Sequence, residues 1–368
     1  VNAGIYVHLP FCKVQCTYCD FPLTTRLSLS KRYYAALLKE IGLIPVTLST
    51  DTLYFGGGTP SLTPPEILLE IKQKFPLEQD CEVTLEANPD DITSEVLQTW
   101  TQIGITRLSI GVQSLEESVL RGMMRQHSAE EAIHAYHLAR SAGFTNISLD
   151  LIAGYPQQTV HGFLEGLESL TRLHPDHLSI YLLEMHEKTP LSRQITTGVA
   201  QMMAEEDQLR VYTEAILILQ NAGYCHYEVS NFALPGRESR HNLKYWSDAP
   251  YYAYGAGASS YLGSTRITNL REVARYIDAM ENGKNPAESS TLEDQETRVR
   301  NALIFGLRKR EGVEIPEFEK RYGVAAVSLF PDDAHEFLEA GLLEIRGKYL
   351  RLTLSGMLVS NEILESAL

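Results

Sequence analysis

Cysteine is scarce, with five residues in a chain of 368, and the count is odd. Cys12, Cys16 and Cys19 crowd into one short segment, while Cys81 and Cys225 stand alone. Paired disulfides do not arise from such a distribution, so a reducing, cytoplasmic setting is expected. Basic residues are also in deficit: 32 Lys and Arg face 47 Asp and Glu, leaving a net charge of −15. That charge repels phosphate backbones, and nucleic acid is not an expected partner. No apolar run approaches the ~18 residues of a membrane span. Val1-Asn2-Ala3-Gly4 leads into a strand with no signal-peptide pattern. The first residue is not Met, which leaves upstream residues open. Internal repeats and low-complexity stretches are missing as well.

What is present is 44% hydrophobic sequence, enough for one large domain and a smaller one. Short apolar runs at residues 5–10, 51–55, 82–87, 107–112, 146–152 and 177–183 read as strands, with a seventh at 226–231. Amphipathic stretches separate them. Tyr34, Leu37, Leu38 and Ile41 share one helical face. Ser128 and Glu131 form a capping box for a helix ending near Gly143. A further helix spans about 204–221 and stops at Gly223. This β-α alternation predicts parallel strands with crossover helices, an α/β fold of six or seven units in a full or incomplete (β/α) barrel.

After Asn231 the pattern changes. The division expected is a barrel carrying the site over 1–235, a connector over 236–291, with the stretch 247–263 read as loop, and a C-terminal module over 292–368. In that module helices precede two short strand-like pieces at 342–346 and 349–354, resembling a winged helix. Its Asp332, Asp333, Glu336 and Glu339 argue against DNA binding.

The cysteine spacing is Cys12-x3-Cys16-x2-Cys19, just past the first strand. Three thiolates on so short a loop can wrap one face of a 4Fe–4S cube, which needs four ligands and so keeps one iron free. The amino and carboxylate groups of S-adenosylmethionine (SAM) can chelate there. Zinc with His8 as fourth ligand is a second reading, and redox-active or simply buried thiols a third.

Other polar signals fall at strand ends. Gly56-Gly57-Gly58-Thr59-Pro60 follows the second strand and permits close backbone approach to a ligand. Glu86, Gln113 and Asp150 end the third, fourth and fifth strands, where a β/α barrel gathers its site. Each taken alone is more often a satisfied strand-end polar group. Arg125 can grip a carboxylate, or form a surface ion pair. Tyr6 can pack near an adenine, or sit in the core.

Tyr6-Val7-His8-Leu9-Pro10-Phe11-Cys12, the CxxxCxxC spacing and Gly56–Ser61 resemble the radical SAM superfamily. Gly111-Val112-Gln113-Ser114 and Asp150-Leu151-Ile152-Ala153-Gly154-Tyr155-Pro156 look like its branch containing oxygen-independent coproporphyrinogen III oxidase and the haem chaperones. The likeness spans nearly the whole chain. It implies an incomplete (β/α)6 barrel, a cluster held by Cys12, Cys16 and Cys19, and SAM contacts from Tyr6, Gly57, Gly58, Thr59, Glu86, Gln113, Arg125 and Asp150, with Ile152 against the adenine.

Sequence features separate the branches. The oxidase has a further Cys two positions after the third, where this chain has Phe21. His241-Asn242-Leu243-Lys244-Tyr245-Trp246 matches the HNxxYW motif that the chaperone branch associates with haem. An imidazole can ligate haem iron and two aromatics can face a macrocycle; a loop histidine beside packing aromatics is the plainer reading. Ser259 stands where the family commonly has His, and Cys81 and Cys225 read as buried thiols rather than haem ligands. The resemblance thus implies a haem carrier that passes haem to a respiratory membrane protein, docking at the inner membrane face. Decarboxylation of coproporphyrinogen III, through a 5′-deoxyadenosyl radical, is the rival, and a haem-promoted homodimer is left open.

Overall fold

The computed structural model describes residues 2–367. Six strands run parallel in sequential order: β1 (Ala3–Leu9), β2 (Thr50–Gly57), β3 (Leu77–Ala87), β4 (Arg107–Gln113), β5 (Ile147–Ala153) and β6 (His177–Leu182). Helices connect them, among them Ser30–Leu43, which buries Tyr34, Leu37 and Ile41. Helix Ala129–Ser141 opens on the expected Ser128/Glu131 capping box. Helix Glu205–Asn221 ends before Gly223, whose φ of +90° suits glycine.

The barrel does not close, because β6 never pairs with β1. The seventh run expected at 226–231 is two antiparallel pieces, β7 (Cys225–Glu228) and β8 (Asn231–Ala233), and β8 pairs antiparallel with β6. Reversal at Val229 and Ser230 breaks what looked like one apolar run. On the other edge, β9 (Tyr251–Tyr254) adds parallel to β1. Antiparallel strands β10 (Ser259–Tyr261), β11 (Thr265–Asn269) and β12 (Ala287–Leu292) follow. The stretch 247–263 expected as loop therefore holds two short strands, β9 and β10, with irregular backbone around them. Its short strands flank Gly255 and Gly257, both at positive φ, and the punctuation hides them.

Alternation along the parallel strands divides two environments. Ile5, Val7, Leu9, Leu53, Phe55, Val83, Leu85, Leu108, Ile110, Leu149, Leu151, Leu178 and Ile180 join the main apolar core. Each such side chain stabilises by about 1.5–3 kcal/mol when fully buried. The opposite face carries Gly4, Tyr6 and His8 on β1, Thr52, Tyr54 and Gly56 on β2, Glu82, Thr84 and Glu86 on β3, Arg107, Ser109 and Gly111 on β4, Ser148, Asp150 and Ile152 on β5, and His177, Ser179 and Tyr181 on β6. The barrel interior is thus lined mainly by polar and aromatic groups.

A second apolar core gathers residues from Val299 to Ala367. It includes a three-stranded antiparallel sheet, order β13-β15-β14, of β13 (Val313–Glu314), β14 (Leu343–Arg346) and β15 (Tyr349–Leu352). Asp248 ties this module to the connector. Its carboxylate accepts from Tyr261 Oη (2.5 Å), Arg298 Nη2 (3.3 Å), Arg321 Nη2 (2.7 Å) and Tyr322 Oη (2.7 Å).

Candidate cofactor site

The cysteine loop leaves β1 at Pro10 and is pinned along its length. Cys12 N donates to Thr24 O (3.1 Å), and Thr24 N to Pro10 O (2.8 Å). Thr17 Oγ1 meets Tyr155 Oη at 2.8 Å and donates to Gly122 O at 3.1 Å. Lys13 Nζ pairs with Asp90 (2.9 Å) and Asp91 (2.5 Å), beyond the end of β3. The loop therefore rests on segments following β3, β4 and β5 at one end of the barrel.

Side chains from those segments reach the sulfurs. Thr59 Oγ1 donates to Cys12 Sγ (3.4 Å) and Arg125 Nη1 to Cys16 Sγ (3.7 Å). Asn88 links the two: its Nδ2 donates to Thr59 Oγ1 (3.3 Å), and its Oδ1 accepts from Arg125 Nη2 (2.7 Å). Arg125 is half-buried and bonded to Asn88, Cys16 and backbone rather than in a surface ion pair, and Nη2 also donates to Gly111 O (2.9 Å). Burial pushes the Cys12 thiol up and the Cys19 thiol up to about 12, the latter against a backbone hydrogen bond from Phe21 that lowers it. Thiolates form in such a place when a metal takes the charge. Hydrogen-bond donors already aimed at two of the sulfurs fit iron-bound thiolate. Zinc fits less well. His8, its candidate fourth ligand, is occupied: Nδ1 meets Tyr6 Oη (3.0 Å) and Nε2 meets Pro22 O (2.7 Å). Among the described residues no three His, Cys, Asp or Glu side chains converge on a single metal-ion position.

The glycine turn allows the close approach. A Cβ on Gly58 would lie 2.8 Å from Pro10 C and 2.9 Å from Cys12 Sγ. One on Gly57, already at φ +125°, would strike the His8 ring at 2.8 Å. Glu86 faces this turn, accepting from Gly57 N (3.1 Å) and Tyr54 Oη (2.8 Å). Burial raises its carboxyl to about 7 against the Tyr54 hydrogen bond, with Asp150 adding to the rise. Asp150 accepts from Ser109 (2.8 Å), Ser148 (2.8 Å) and Ser179 (2.7 Å), hydroxyls from β4, β5 and β6. Gln113 sits at φ +67°, an uncommon conformation for a side-chain-bearing residue, at the end of β4. Ile152 packs with Tyr155, Leu183 and Leu191 in a small apolar cluster that Tyr18 of the cysteine loop borders.

The strand ends thus bring Cys12, Cys16, Cys19, Gly57, Gly58, Thr59, Glu86, Gln113, Arg125, Asp150 and Ile152 to one mouth, with Tyr6 one layer below. His241 is elsewhere. It lies on the short helix Arg240–Tyr245, 1% exposed, at the opposite end of the barrel. Nδ1 meets Thr52 Oγ1 (2.9 Å) and Nε2 meets Tyr245 Oη (2.9 Å), so neither ring nitrogen is free for an iron in this conformation. Ser259 Oγ pairs with Thr268 Oγ1 (3.0 Å). Cys81 is buried as expected, whereas Cys225 is exposed. Asn88 and Tyr54 belong to the site although sequence reading assigned them no part in it, and His8, read there only as a fourth ligand to zinc, instead braces Tyr6 and the cysteine loop. The run Glu86-Ala87-Asn88-Pro89 at a strand end was the available signal for Asn88.

The chain matches the radical SAM superfamily over residues 6–170 and the HemN C-terminal domain over 294–359. It is 34% identical to the heme chaperone HemW of Bacillus subtilis, covering 97% of each chain. The heme chaperone HemW of Lactococcus lactis is 32% identical over 99% of this chain and 96% of its own. Radical S-adenosyl methionine domain-containing protein 1, mitochondrial, of Bos taurus is 31% identical over 100% of this chain and 87% of its own. In fold, the chain is similar to coproporphyrinogen III oxidase (HemN) from Escherichia coli, a radical SAM enzyme, with TM-score 0.87 and 23% identity over 100% of this chain and 90% of that one. With this cysteine loop, these strand ends and full-length relatives above 30% identity, the chain belongs to the HemW family of the radical SAM superfamily.

Proposed function

We propose that this chain is a haem chaperone whose Cys12, Cys16 and Cys19 hold a 4Fe–4S cluster and whose barrel mouth binds SAM. A SAM-ligated cluster supplies a one-electron reductant beside a sulfonium. The protein's part is placement. Gly57, Gly58 and Thr59 offer backbone beside the cysteines, Glu86 takes the ammonium, and Arg125 faces the carboxylate. Asp150 and Gln113 would hold the rest of the molecule, and Ile152, in its cluster with Tyr155, Leu183 and Leu191, would offer the adenine an apolar contact.

The observation that carries the chaperone reading is the full-length likeness to proteins named heme chaperones. Phe21 supports it: the side chain is 62% exposed where the oxidase pattern places another cysteine. For the haem itself, the HNxxYW segment supplies Tyr245 and Trp246 to a cavity of about 200 Å³, completed by Tyr251, Tyr261, Phe305, Lys244 and Arg266. Flat aromatic faces suit a porphyrin edge, though a whole macrocycle requires the cavity to widen, and Lys244 and Arg266 would have to leave Asp51 and Glu293 to meet propionates. Ligation by His241 requires its two hydrogen bonds to break. No helix of the described residues is long and apolar enough to cross a membrane, so transfer to a membrane protein would proceed by docking.

The test is anaerobic. Reconstituted protein is expected to carry iron and sulfide, to bind SAM and haem, and to leave coproporphyrinogen III unchanged with SAM and reductant. Robust formation of protoporphyrinogen would establish the oxidase instead. Zinc in place of iron would end both readings. Mass measurement with and without haem decides the homodimer.

A further inference from the structure

The side chain of His241 enters the barrel from its N-terminal end, although its motif is associated with haem. Gly4 makes room: a Cβ there would lie 2.8 Å from Lys244 Cδ and 3.2 Å from His241 Cε1. Glu82, on the inner face of β3, accepts the backbone N–H of His241 at 3.2 Å and fixes the start of the helix. The imidazole then lies under two tyrosines. Its ring centroid is 5.2 Å from that of Tyr54 and 6.5 Å from that of Tyr6, both stacked, and the tyrosines stack on each other at 6.1 Å.

Both tyrosines lead toward the mouth. Tyr54 Oη holds Glu86, the carboxylate facing the glycine turn. Tyr6 Oη meets His8, whose other nitrogen meets Pro22 O just past Cys19. A packed, hydrogen-bonded column therefore runs from the barrel floor to both halves of the SAM site, the carboxylate and the loop carrying the cysteines. Removing the imidazole opens a void under Tyr54 and Tyr6 and frees Tyr245 Oη and Thr52 Oγ1. The tyrosines gain freedom to tilt, and Glu86, left with Gly57 N as its other partner, loses the fixed geometry of its Tyr54 hydrogen bond. Coupling through packed side chains of this kind is modest per residue but measurable.

We propose that His241 is a positioning residue for SAM, holding Tyr54 and Tyr6 in place from the barrel floor, rather than a ligand to haem iron. This rests on the reading that the mouth binds SAM at a cluster. The experiment uses full-length protein with reconstituted cluster and compares the parent with His241→Ala, His241→Gln and Thr52→Val. SAM affinity and the SAM-induced change in the reduced cluster's EPR spectrum are measured beside haem titrations. His241→Ala is expected to weaken SAM binding about tenfold with unchanged iron content. His241→Gln, whose amide can still reach Thr52 and Tyr245, is expected to recover most of that loss. Thr52→Val, which removes one partner only, is expected to cost about threefold, and it carries the test if His241→Ala does not fold. Haem stoichiometry and Soret position should match the parent throughout. Parent-like SAM affinity and EPR response in His241→Ala and Thr52→Val would overturn the proposal, as would a defect confined to haem. A parent protein that carries a cluster and binds no SAM would instead overturn the SAM reading itself.

Discussion

Glu86 is poised to respond to a cation. Its folded pKa, about 7, lies above the ordinary carboxylate value because burial disfavours the charge. An ammonium beside it favours ionisation, so SAM binding should release a proton below pH 7. SAM affinity is expected to fall about tenfold per pH unit as pH drops below 7, and Glu86→Gln should flatten that profile; binding titrations from pH 6 to 8 check it. Asp150, Arg107 and Tyr54 face the same space, and Asp150, tied to three serines, provides the neighbouring negative charge. Gly58 makes a second residue-scale prediction. Gly58→Ala has no backbone neighbour that can yield, so the turn must shift away from Cys12. Cluster retention should drop, in the range of the about 10–100-fold affinity losses seen when supporting groups of metal sites change; iron and sulfide assays after reconstitution check it. The cysteine loop and the strand-end residues of the mouth were legible because cysteine spacing and strand-end position are sequence properties. Asn88 and Tyr54 were not, and His8 was legible only as a ligand to zinc, because their roles depend on which strand lies beside which. His241 was legible as a residue type, but its burial beneath Tyr54 depends on how a six-residue helix docks under the barrel.

The six parallel strands were readable from their period because each buries one face against helices. β9–β12 were not, since strands of three to six residues among glycines carry too little period to register. Their attachment depends instead on Glu40, 1% exposed in helix Ser30–Leu43. It accepts from Gly255 N (2.8 Å), Asn269 Nδ2 (2.6 Å) and Tyr276 Oη (2.5 Å), holding β9 and β11 to the barrel. Glu40→Ala leaves three buried donors unpaired and is expected to cost about 3 kcal/mol or more, read from chemical denaturation. Burial raises its pKa to about 7. A carboxyl with a raised folded pKa contributes stability that is full below about pH 4.5 and lost as pH climbs through 7. Relative to Glu40→Gln, the parent should therefore gain stability as pH is lowered from 8 to 5.

For the molecule as a whole, the two apolar cores are joined at Asp248. Its side chain is 7% exposed beneath two arginines, with two tyrosine hydroxyls completing the shell. Removing one partner from a buried charge network costs about 3–5 kcal/mol. Asp248→Ala is expected to lower the melting temperature and to make the segment around residues 247–295 cleavable under limited proteolysis. The hairpin at 343–352 was visible from sequence as two short apolar runs. Asp248 was not, because its four partners lie 13 to 74 positions away.

The alternation of the barrel strands has a consequence for how such a protein can change. On each strand, odd and even positions answer to separate demands: one set packs against helices, the other faces the barrel interior. Substitutions in one row need not disturb the other, so the outer packing can drift, or be redesigned for heat tolerance, while the inner row is kept. Conversely, new substrates can be explored by rewriting inner residues on a scaffold whose cohesion lies outside them.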